Sequence, residues 1–506
     1  MRLFIRICRR GSVHTCLLML AALATQSAPP ATRGSGLTLD SSDARLVHAF
    51  EWAKRQALAY AFEGDPVGLW YEAALPGREA FCMRDVAHQA MGAHALGLAP
   101  YTANMLRRFA QNISESRDWC SYWEIDRYNR PAPVDYKNDG EFWYCLPANY
   151  DVLDCCYRMY LWTGDAAYID DPVFLNFYDR TMTDYEERWS LDSTHVMRRK
   201  RLMNIRGEFA PDDKFQFFRG IPSYQESEQG FVVGVDLLAT QYAGYLAYAA
   251  IQDSRRNDRL AHTYAQKASV VKALINDTWW NENEKQFYSR VNKNYQLEGR
   301  DISAVLYRNA ANDGPKLQGA VDKLIAQIKS VPSSAVEGES HNPEILYRYG
   351  VPDLAYSQIM DLTREDRERR EYPEVSYSVV GAIVTGLMGI TVDAKWYALS
   401  GRGDFVDRMI KTLPELGNIA WAELRNLPVR SNEVNVRHEG ISKTVLTNQK
   451  GPTLIWRAAF SGAFTSLQVN GKPMRAQQEK GPRSGEVSYV DLPVAPSTTA
   501  TVEVPN

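Results

Sequence analysis

The stretch GVDLLATQYAGYLAYAA, residues 234–250, decides the fold because it repeats small residues at helical spacing. Its apolar residues recur with the 3.6-residue period of an α-helix, and alanine or glycine stands where the inward face should be. The small residues are Ala239, Ala243, Gly244, Ala247 and Ala250. Small side chains let neighbouring helices approach closely, as a concentric ring of helices requires. The stretch therefore predicts one helix of such a ring.

Helical periodicity extends outward from this stretch, from about residue 41 to residue 392. About twelve segments carry it: 43–63, 86–97, 101–113, 148–163, 173–189, 231–252, 258–278, 301–311, 315–330, 343–349, 353–363 and 376–388. Beyond residue 392 the period changes to 2, in short alternating runs such as NEVNVRHEG, residues 432–440. Asn470-Gly471 is a strong hairpin signal among these runs. The pattern predicts a mainly α domain followed by a small antiparallel β-domain.

The N-terminus predicts export from the cell. A basic start, MRLFIRICRR, precedes an apolar run from Cys16 to Ala24 and a segment rich in Ser, Ala and Pro. This order is typical of a secretory signal peptide, here residues 1–24, followed by a linker over residues 25–40. We expect the main helical domain over residues 41–392 and a C-terminal region with a β-sandwich-like domain over residues 393–506. The expected location is secreted or periplasmic.

Composition argues against several kinds of partner. The net charge of -3 and the lack of a run rich in Lys and Arg argue against nucleic acid or an anionic membrane surface. No segment after the signal approaches the roughly 20 apolar residues that cross a bilayer, so no membrane contact is expected after signal cleavage. The eight His residues show no HxH or HExxH spacing, and the glycines lack the context of a nucleotide-binding loop. Neither a metal nor a cofactor is expected.

Several motifs together indicate a superfamily. Arg84-Asp85 in FCMRDVAHQ follows the first predicted helix, and YPEVSYSVVGAIVTGLMGI, residues 372–390, contains the last one. Further motifs are LPANYDVLDCCYRMYLWTGD, SYQESEQGFVVGVDLLATQY and, in the β-region, VNVRHEGISKTVLTNQKGPTLIWRAAFSG. With the signal peptide and about twelve helices, these segments resemble the six-hairpin, or (α/α)6-toroid, glycoside hydrolases of the glucoamylase-like clan. The resemblance implies an (α/α)6 toroid of about twelve helices with a small C-terminal antiparallel β-domain.

The resemblance also implies that the catalytic residues lie on one face of the toroid. In a ring of alternating inner and outer helices, the loops before the even-numbered helices lie at the same end. These loops carry Arg84-Asp85, Asp139 and Glu141, Glu226 and Glu228, Arg300-Asp301, Glu337 and Glu339 with His341, and Glu371 and Glu374. The resemblance implies that Arg84 and Asp85 hold hydroxyls of the sugar whose glycosidic bond is cut.

The proton donor is expected in the loop before the sixth helix. An inverting glycosidase needs two carboxyl groups about 6.5–9.5 Å apart, one to protonate the leaving oxygen and one to activate water. By position the resemblance puts the acid in this loop, where Glu226 and Glu228 compete for the role. Aromatic neighbours such as Tyr224 would favour a protonated carboxyl at Glu226. The alternative is that one or both acids cap the sixth helix with negative charge.

The base is expected in the loop before the twelfth helix. Glu374 follows Pro373, which restricts the backbone and would help to hold a carboxylate at the mouth of that helix. A cap at the helix N-terminus is again the alternative. Glu371 stands in the charge-dense run TREDRERREYPE and fits a solvated loop better.

One aromatic loop is a candidate sugar platform. Asp139, Glu141, Trp143 and Tyr144 cluster in VDYKNDGEFWYCLPANYD. Aromatic faces suit the C–H faces of sugar rings, and the acids would bind hydroxyls. Glu141 is the proton donor if the loop before the sixth helix does not supply it. The alternative is an aromatic plug that closes the end of the barrel.

The remaining candidates for substrate binding flank these loops. His88 and Gln89 lie one turn after Asp85 and are expected to face the same way, as sugar contacts or as polar residues of the core. Arg300 and Asp301 complete the expected binding set.

The sequence as a whole predicts an exported inverting glycoside hydrolase that acts on an oligo- or polysaccharide. The expected partner is a carbohydrate substrate, whose sugar and linkage the motifs do not specify. Two alternatives stay open. One is a polysaccharide lyase on an α/α toroid, in which Tyr or His abstracts a proton next to a uronate carboxylate. The other is a carbohydrate-binding protein without catalysis.

Overall fold

The computed structural model describes residues 36–200, 219–226, 231–330, 336–393, 397–399, 404–406, 409–482 and 485–505. These residues belong to one compact unit. The predicted signal peptide, residues 1–24, lies outside the described residues, and so does Glu228.

Fifteen α-helices occur in the described part of the chain. They are α1 (Ala44–Ala59), α2 (Met83–Ala95), α3 (Ala99–Gln111), α4 (Pro147–Thr163), α5 (Ala167–Asp170), α6 (Pro172–Arg180), α7 (Glu186–Arg188), α8 (Val235–Ser254), α9 (Asp258–Thr278), α10 (Ala304–Tyr307), α11 (Pro315–Ser330), α12 (Val336–Glu339), α13 (Asn342–Arg348), α14 (Pro352–Leu362) and α15 (Pro373–Ala382). π-Helical turns over Thr181–Tyr185 and Ile383–Leu387 join α6 to α7 and extend α15. None of the helices that the structure describes has both the length and the apolarity to cross a bilayer.

Six helices form an inner ring. Helix α2 packs on α4, α4 on α8, α8 on α10, α13 on α15, and α15 back on α2. Hydrogen bonds link α10 to α13, since Arg348 Nη1 donates to the carbonyl of Tyr307 at 2.5 Å and the Tyr349 hydroxyl donates to the carbonyl of Leu306 at 3.0 Å. Helices α1, α9 and α11 each pack against one inner helix from outside, and α3 and α14 each pack against two neighbouring inner helices. These eleven helices therefore lie in two concentric layers.

Small residues allow the inner helices to approach closely. A Cβ atom on Gly244 of α8 would lie 3.0 Å from the Cβ of Tyr150 in α4. A Cβ atom on Gly92 of α2 would lie only 2.0 Å from the carbonyl oxygen of Tyr377 in α15. The outer helix α9 instead buries one stripe, mainly Tyr264, Ala268, Val271 and Ile275. This contrast confirms the close helix packing that the small residues predict.

The twelve predicted helices all coincide with helical segments, and two of them, 258–278 and 315–330, also have the predicted ends. The segment 301–311 differs most, because only Ala304–Tyr307 is helical. The expectation of a mainly α chain was too narrow. The long loops of the ring form short hairpins, and the β-region extends from Ile390 to Glu503.

Most of the short strands belong to the loops of the ring. They are β1 (Thr38–Ser41), β2 (Ala61–Asp65), β3 (Gly68–Tyr71), β4 (Ala80–Cys82), β5 (Glu124–Asp126), β6 (Tyr136–Asn138), β7 (Glu141–Phe142), β8 (Tyr144–Cys145), β9 (Arg219–Ile221), β10 (Phe231–Gly234), β11 (Trp280–Asn281), β12 (Gln286–Phe287), β13 (Arg290–Asn292) and β14 (Leu297–Glu298). Among these, β8 and β9 pair in parallel over a few residues, and β1 belongs to the C-terminal sheets.

The C-terminal strands build two large sheets, and two short strands among them pair in a separate two-stranded sheet. They are β15 (Ile390–Asp393), β16 (Tyr397–Leu399), β17 (Asp404–Val406), β18 (Met409–Thr412), β19 (Trp421–Val429), β20 (Asn432–Glu439), β21 (Lys443–Lys450), β22 (Leu454–Ser461), β23 (Ser466–Val469), β24 (Lys472–Arg475), β25 (Gln477–Lys480), β26 (Glu486–Val494) and β27 (Thr498–Glu503). One large sheet has the order β1-β19-β20-β21-β27-β23-β24, the other has the order β15-β18-β22-β26-β25, and β16 and β17 form the separate pair. Side chains alternate between buried and partly exposed along β20, as expected for a strand with one face in a core.

Two features of these sheets differ from expectation. Strand β1 pairs with β19, with Thr38 opposite Arg425, so the last residues of the predicted linker are part of the fold. Strands β18 and β22 pair in parallel, with Met409 opposite Ile455, so the β-region is not wholly antiparallel. Strand β18 lies between the two others, antiparallel to β15 on one side and parallel to β22 on the other.

Two buried histidines join the ring to the β-region. Nε2 of His94, in the last turn of α2, lies 3.0 Å from the carbonyl oxygen of Pro428 in β19. Nε2 of His438, in β20, lies 3.0 Å from the carbonyl oxygen of Met388 after α15. Each part of the molecule thus bonds to a backbone carbonyl of the other. Burial lowers the pKa of each of these histidines to about 4.

Candidate active site

Two adjoining cavities open at the end of the ring where α2 and α15 begin. Their volumes are about 340 and 400 Å³, and both are lined by Arg84, Glu337 and Glu374. We call these two cavities together the basin. The smaller cavity is also lined by Arg78, Asp85, Trp123, Asp135, Trp143, Tyr372 and Glu226, and the larger by His88, Tyr224, Arg300, Asp301, Tyr307, Arg308 and His341.

The first turns of α2 place two basic side chains on the basin. Arg84 and His88 are four residues apart and therefore lie on one face of the helix. Arg84 Nη1 donates to Oε1 of Glu226 at 2.9 Å, and Arg84 Nε donates to Oδ1 of Asp85 at 3.0 Å. Nδ1 of His88 lies 3.5 Å from Oε1 of Glu374. Two side chains about one turn apart on α2 thus contact the predicted acid, Glu226, and the predicted base, Glu374.

Glu374 lies in the first turn of α15, directly after Pro373. Nε2 of His341 is 3.1 Å from its Oε1 atom. Burial disfavours ionisation, but the hydrogen bond from His341 and the nearby imidazole of His88 outweigh it and hold the pKa of Glu374 well below its usual range. Burial and the nearby His88 lower the pKa of His341. Glu374 therefore faces the basin as a carboxylate, and its position in the helix is also the one that the capping alternative predicts.

His88 connects Glu374 to a buried network. Its Nε2 atom lies 3.4 Å from Oδ2 of Asp151 in α4. Asp151 also accepts hydrogen bonds from the Tyr224 hydroxyl at 2.7 Å and from Arg308. Burial opposes the imidazolium, but Asp151 and Glu374 raise the pKa of His88 above its usual value. Burial likewise opposes the Asp151 carboxylate, yet Arg308 and His88 hold the pKa of Asp151 below its usual range.

Asp85 is a second buried carboxyl group of the smaller cavity. Burial raises its pKa to about 7, with a contribution from Glu374 and against the effect of Arg84. The carboxyl groups of Asp85 and Glu374 therefore titrate in very different ranges within one cavity. Pairs of carboxyls whose surroundings separate their pKa values are typical of sites for acid and base chemistry.

Glu226 is more exposed than Glu374, with 37% of its side chain accessible. It does not cap the sixth predicted helix, because α8 begins at Val235 and Asp236 is the acid of its first turn. The capping alternative is therefore wrong for Glu226, which instead bonds to Arg84. Its rival Glu228 belongs to residues 227–230, outside the described residues.

Asp236 explains how the loop with Glu226 is held. Its Oδ2 atom accepts hydrogen bonds from the Ser223 hydroxyl at 2.9 Å and from the backbone N–H of Tyr224 at 2.6 Å. The Tyr224 hydroxyl in turn bonds to Asp151. The segment just before Glu226 is therefore fixed to two inner helices, α4 and α8.

Three predicted binding residues lie away from the basin. Tyr144 is completely buried and donates its hydroxyl hydrogen to Asn149. Gln89 is also completely buried, and its amide makes no hydrogen bond within the described part of the chain. Successive residues of a helix point about 100° apart, so Gln89 faces the core while His88 faces the basin. Asp139 forms an ion pair of 2.8 Å with Arg117 and lines neither cavity.

The other predicted residues are divided between the basin and the surface. Trp143 lines the smaller cavity, whereas Glu141 forms an ion pair of 2.6 Å with Lys137 and lines neither cavity. Arg300 and Asp301 line the larger cavity. Asp301 also accepts hydrogen bonds from the first N–H groups of α10, and burial raises its pKa to about 7. Of the two aromatic residues predicted to form a sugar platform, only Trp143 lines a cavity of the basin.

The sequence missed a second acidic pair beside the smaller cavity. Asp135 lines this cavity, and Glu124 lies close to it with only 1% of its surface exposed. Arg78 Nη1 donates to Oε2 of Glu124 at 3.1 Å. Burial and a hydrogen bond with Asp135 raise the pKa of Glu124 well above its usual value. The only feature of the sequence that could have pointed to Glu124 is its place among aromatic residues in YWEID, residues 122–126.

One group of side chains has the geometry to hold a metal ion. His88, His341 and Glu374 each offer one ligand atom, and these atoms lie within 4.8 Å of one another. No other such group occurs among the described residues. The expectation of no metal rested on spacing along the chain, which does not detect ligands contributed by three different helical hairpins.

No protein-family model matches the chain, and no curated protein matches it by sequence. Solved structures do match it in fold. An α-L-rhamnosidase from Dictyoglumus thermophilum matches with a TM-score of 0.58 and 12% identity, over 93% of this chain and 50% of the rhamnosidase. A sialidase matches with a TM-score of 0.51 and 10% identity, over 89% of this chain and 41% of the sialidase. The chain thus shares its fold with these two proteins and spans about half the length of the rhamnosidase.

Proposed function

We propose that this protein is an exported inverting glycoside hydrolase that cleaves glycosidic bonds of an oligo- or polysaccharide. The observation that carries the proposal is the pair Glu226 and Glu374, which line one cavity and contact Arg84 and His88 about one turn apart on α2. Two separated carboxyl groups across a cavity are what inversion requires. The rhamnosidase and the sialidase that share the fold support a glycosidase, and the predicted signal peptide supports export.

Glu374 is the general base in this proposal. Its carboxylate accepts a hydrogen bond from His341 and is fixed by the start of α15, so its position is set before substrate binds. A water molecule between Glu374 and the anomeric carbon gives its proton to Glu374 as its oxygen forms the new C–O bond. The old bond to the leaving oxygen breaks on the opposite face of the sugar.

Glu226 is the general acid and gives its proton to the leaving oxygen. Arg84 Nη1 donates to Oε1 of Glu226 at 2.9 Å, so substrate must draw the guanidinium away before this carboxyl group can reach the leaving oxygen. Arg84 keeps its bond to Asp85 and donates to the sugar in that step. The exposure of Glu226 lets solvent return the proton after each turnover.

The two cavities supply the sugar subsites. In the smaller cavity, Asp85 accepts from hydroxyls and Arg84 donates to ring substituents. Trp123 and Trp143 present aromatic faces to the same cavity and suit the C–H faces of a sugar ring. The larger cavity, on the other side of the shared residues, takes the neighbouring sugar.

A polysaccharide lyase is the second candidate. It is favoured by His341 and Tyr307, whose rings lie 4.8 Å apart in the larger cavity. Burial lowers the pKa of His341, so a neutral imidazole is present to accept a proton next to a uronate carboxylate. A lyase forms an unsaturated sugar that absorbs ultraviolet light, whereas a hydrolase does not.

The test begins with the purified protein and a panel of aryl glycosides and polysaccharides. For a substrate that is cleaved, NMR spectra recorded in the first minutes should show the anomer opposite to that of the substrate. Retention of configuration, an unsaturated product, or binding without turnover on the whole panel would overturn the proposal.

Two variants separate the acid from the base. Glu374→Gln should lower turnover about 10³-fold on every substrate, because water must always be activated. Glu226→Gln should lower turnover by a similar factor on natural glycosides but by less than about tenfold on glycosyl fluorides, which need little protonation. Glu371→Gln, an exposed acid of the loop before α15, is the matched control and should leave turnover unchanged. An identical response of both variants to leaving-group quality contradicts the assignment.

A further inference from the structure

The three side chains that meet at the floor of the larger cavity have the separations of metal ligands. Oε1 of Glu374 lies 3.1 Å from Nε2 of His341 and 3.5 Å from Nδ1 of His88. Metal–ligand bonds of 2.0–2.1 Å in a tetrahedral site place neighbouring ligand atoms about 3.3 Å apart. The observed distances lie on either side of that value, and all three residues line the cavity.

Hydrogen bonding alone does not account for the orientation of His88. Its Nδ1 atom is buried and makes no well-formed hydrogen bond within the described residues, although the Glu374 carboxylate is 3.5 Å away. Its Nε2 atom lies 3.4 Å from the Asp151 carboxylate. A carboxylate behind a histidine is the arrangement that orients histidine ligands and strengthens their donation to a metal. Nδ1, the free nitrogen, is the one that points at Glu374.

The donor set selects the class of ion. Two imidazole nitrogens and one carboxylate oxygen suit Zn²⁺, Co²⁺ and related transition metals, whereas Ca²⁺ and Mg²⁺ prefer oxygen ligands. Asp151 and Asp85 add negative charge around the cluster, against the positive charge of Arg84 and Arg308. The cavity leaves room for water or another small ligand as the fourth partner of the ion.

We propose that His88, His341 and Glu374 form a binding site for one divalent transition-metal ion of the zinc class, and that this ion inhibits the enzyme. The inhibition rests on the proposed function: a metal on Glu374 occupies the lone pair that would take the proton from water. The metal-free protein is then the active form, and zinc acts as a reversible regulator of the base.

Calorimetric titration of the chelator-treated protein with ZnCl₂ tests the site without any assay of activity. We expect one ion per chain, with affinity reduced at least tenfold in His341→Gln and in Glu374→Gln. Asp151→Asn should weaken binding about 10- to 100-fold through His88. Circular dichroism checks that each variant is folded. If Asp151→Asn is unfolded, the zinc affinity of His341→Gln alone tests the site.

His195→Gln is the matched control. His195 is an exposed histidine whose Nδ1 lies 2.8 Å from Asp192, so it is a histidine–carboxylate contact outside the basin. The proposal predicts that this variant binds zinc as the unchanged protein does. No binding of one ion, or binding that survives both His341→Gln and Glu374→Gln, overturns the site.

The second part of the test separates the site from the proposed function. On a substrate that the protein cleaves, saturating ZnCl₂ should abolish turnover, and EDTA should restore it. Full turnover with the site saturated overturns the inhibition. Zinc binding with the expected variant pattern, in a protein that cleaves no glycoside, supports the site while the proposed function fails.

Discussion

Helix α2 carries two buried histidines whose surroundings differ. His88, near its start, contacts the carboxylates Asp151 and Glu374 at the mouth of the ring. His94, in its last turn, lies beside the ring of Trp162 and bonds to the carbonyl oxygen of Pro428 at the junction with the β-region. The pKa of His88 is raised above its usual value, and burial lowers the pKa of His94 to about 4. The pKa values of two histidines on one helix are therefore shifted in opposite directions.

The comparison shows that the partner decides what a buried polar residue does. Charged groups at the mouth are paired across helices, and the pairs face a cavity that a ligand can enter. Neutral groups at the junction bond to backbone and join two parts of the fold, as His438 also does through Met388. Replacing a junction residue should lower the free energy of unfolding, and replacing a residue at the mouth should lower catalytic activity.

The largest effect should come from Gly92→Ala, which lies between the two histidines on α2. The new Cβ would lie 2.0 Å from the carbonyl oxygen of Tyr377, so α2 and α15 must separate. We expect the free energy of unfolding to fall by about 3 kcal/mol or more, measured by urea titration. Gly338→Ala in α12, where a Cβ meets nothing within 4 Å, should change stability by no more than about 1 kcal/mol. Equal effects would contradict the packing argument.

Acid should weaken the junction. Burial lowers the pKa of His94 and of His438 to about 4, below the unfolded value near 6.5. The unfolded chain therefore binds protons first, and the stability from each histidine is complete above about pH 6.5 and is lost as the pH falls toward 4. We expect a loss of about 2.5 kcal/mol for each histidine between about pH 7 and pH 4.5.

The measurement is a series of urea titrations across this pH range. His438→Gln keeps a donor for the carbonyl of Met388 but has no titrating group. It should therefore lose less stability in acid than the unchanged protein does. His195→Gln, which removes an exposed histidine, should follow the unchanged protein. A pH dependence that is the same in His438→Gln as in the unchanged protein would remove the titration argument.

The sequence predicted the fold better than it predicted the junction and the mouth. Helices such as 258–278 could be predicted because their period of burial depends on the chain alone. The position of Arg84 and Glu374 beside the cavities could be predicted from their places in the ring. The role of Asp151 could not be predicted, because this single acid in an apolar helix is paired with residues from other parts of the chain, such as Arg308. Gln89 was assigned to the wrong side because spacing alone does not show which side of α2 faces the cavity.

Paired variants of the two histidines on α2 sharpen the comparison directly. His88→Gln should lower kcat about 30-fold with little change in KM, because the Glu374 carboxylate loses a contact that positions it. His94→Gln keeps a donor for Pro428, so it should leave kcat unchanged and lower stability by about 1 kcal/mol. Steady-state kinetics and urea titration on both proteins measure the two effects. A loss of kcat in His94→Gln as large as in His88→Gln would refute the division of roles.

The smallest effect should come from Asp85→Asn at the mouth. The asparagine oxygen can still accept the hydrogen bond from Arg84 Nε, so in assays above pH 7, where the Asp85 carboxyl is ionised, the site keeps its shape and loses only a negative charge. A charge-assisted hydrogen bond to a sugar hydroxyl then becomes a neutral one, which is worth about 1.5 kcal/mol, or roughly tenfold. Because the contact exists in both the bound and the transition state, we expect a higher KM and a lower kcat, each by a few-fold. Asp139→Asn, in the same class of loop but outside both cavities, is the control for kinetics. If Asp85→Asn shows the kinetics of the unchanged protein, Arg84 and Asp85 do not hold the sugar.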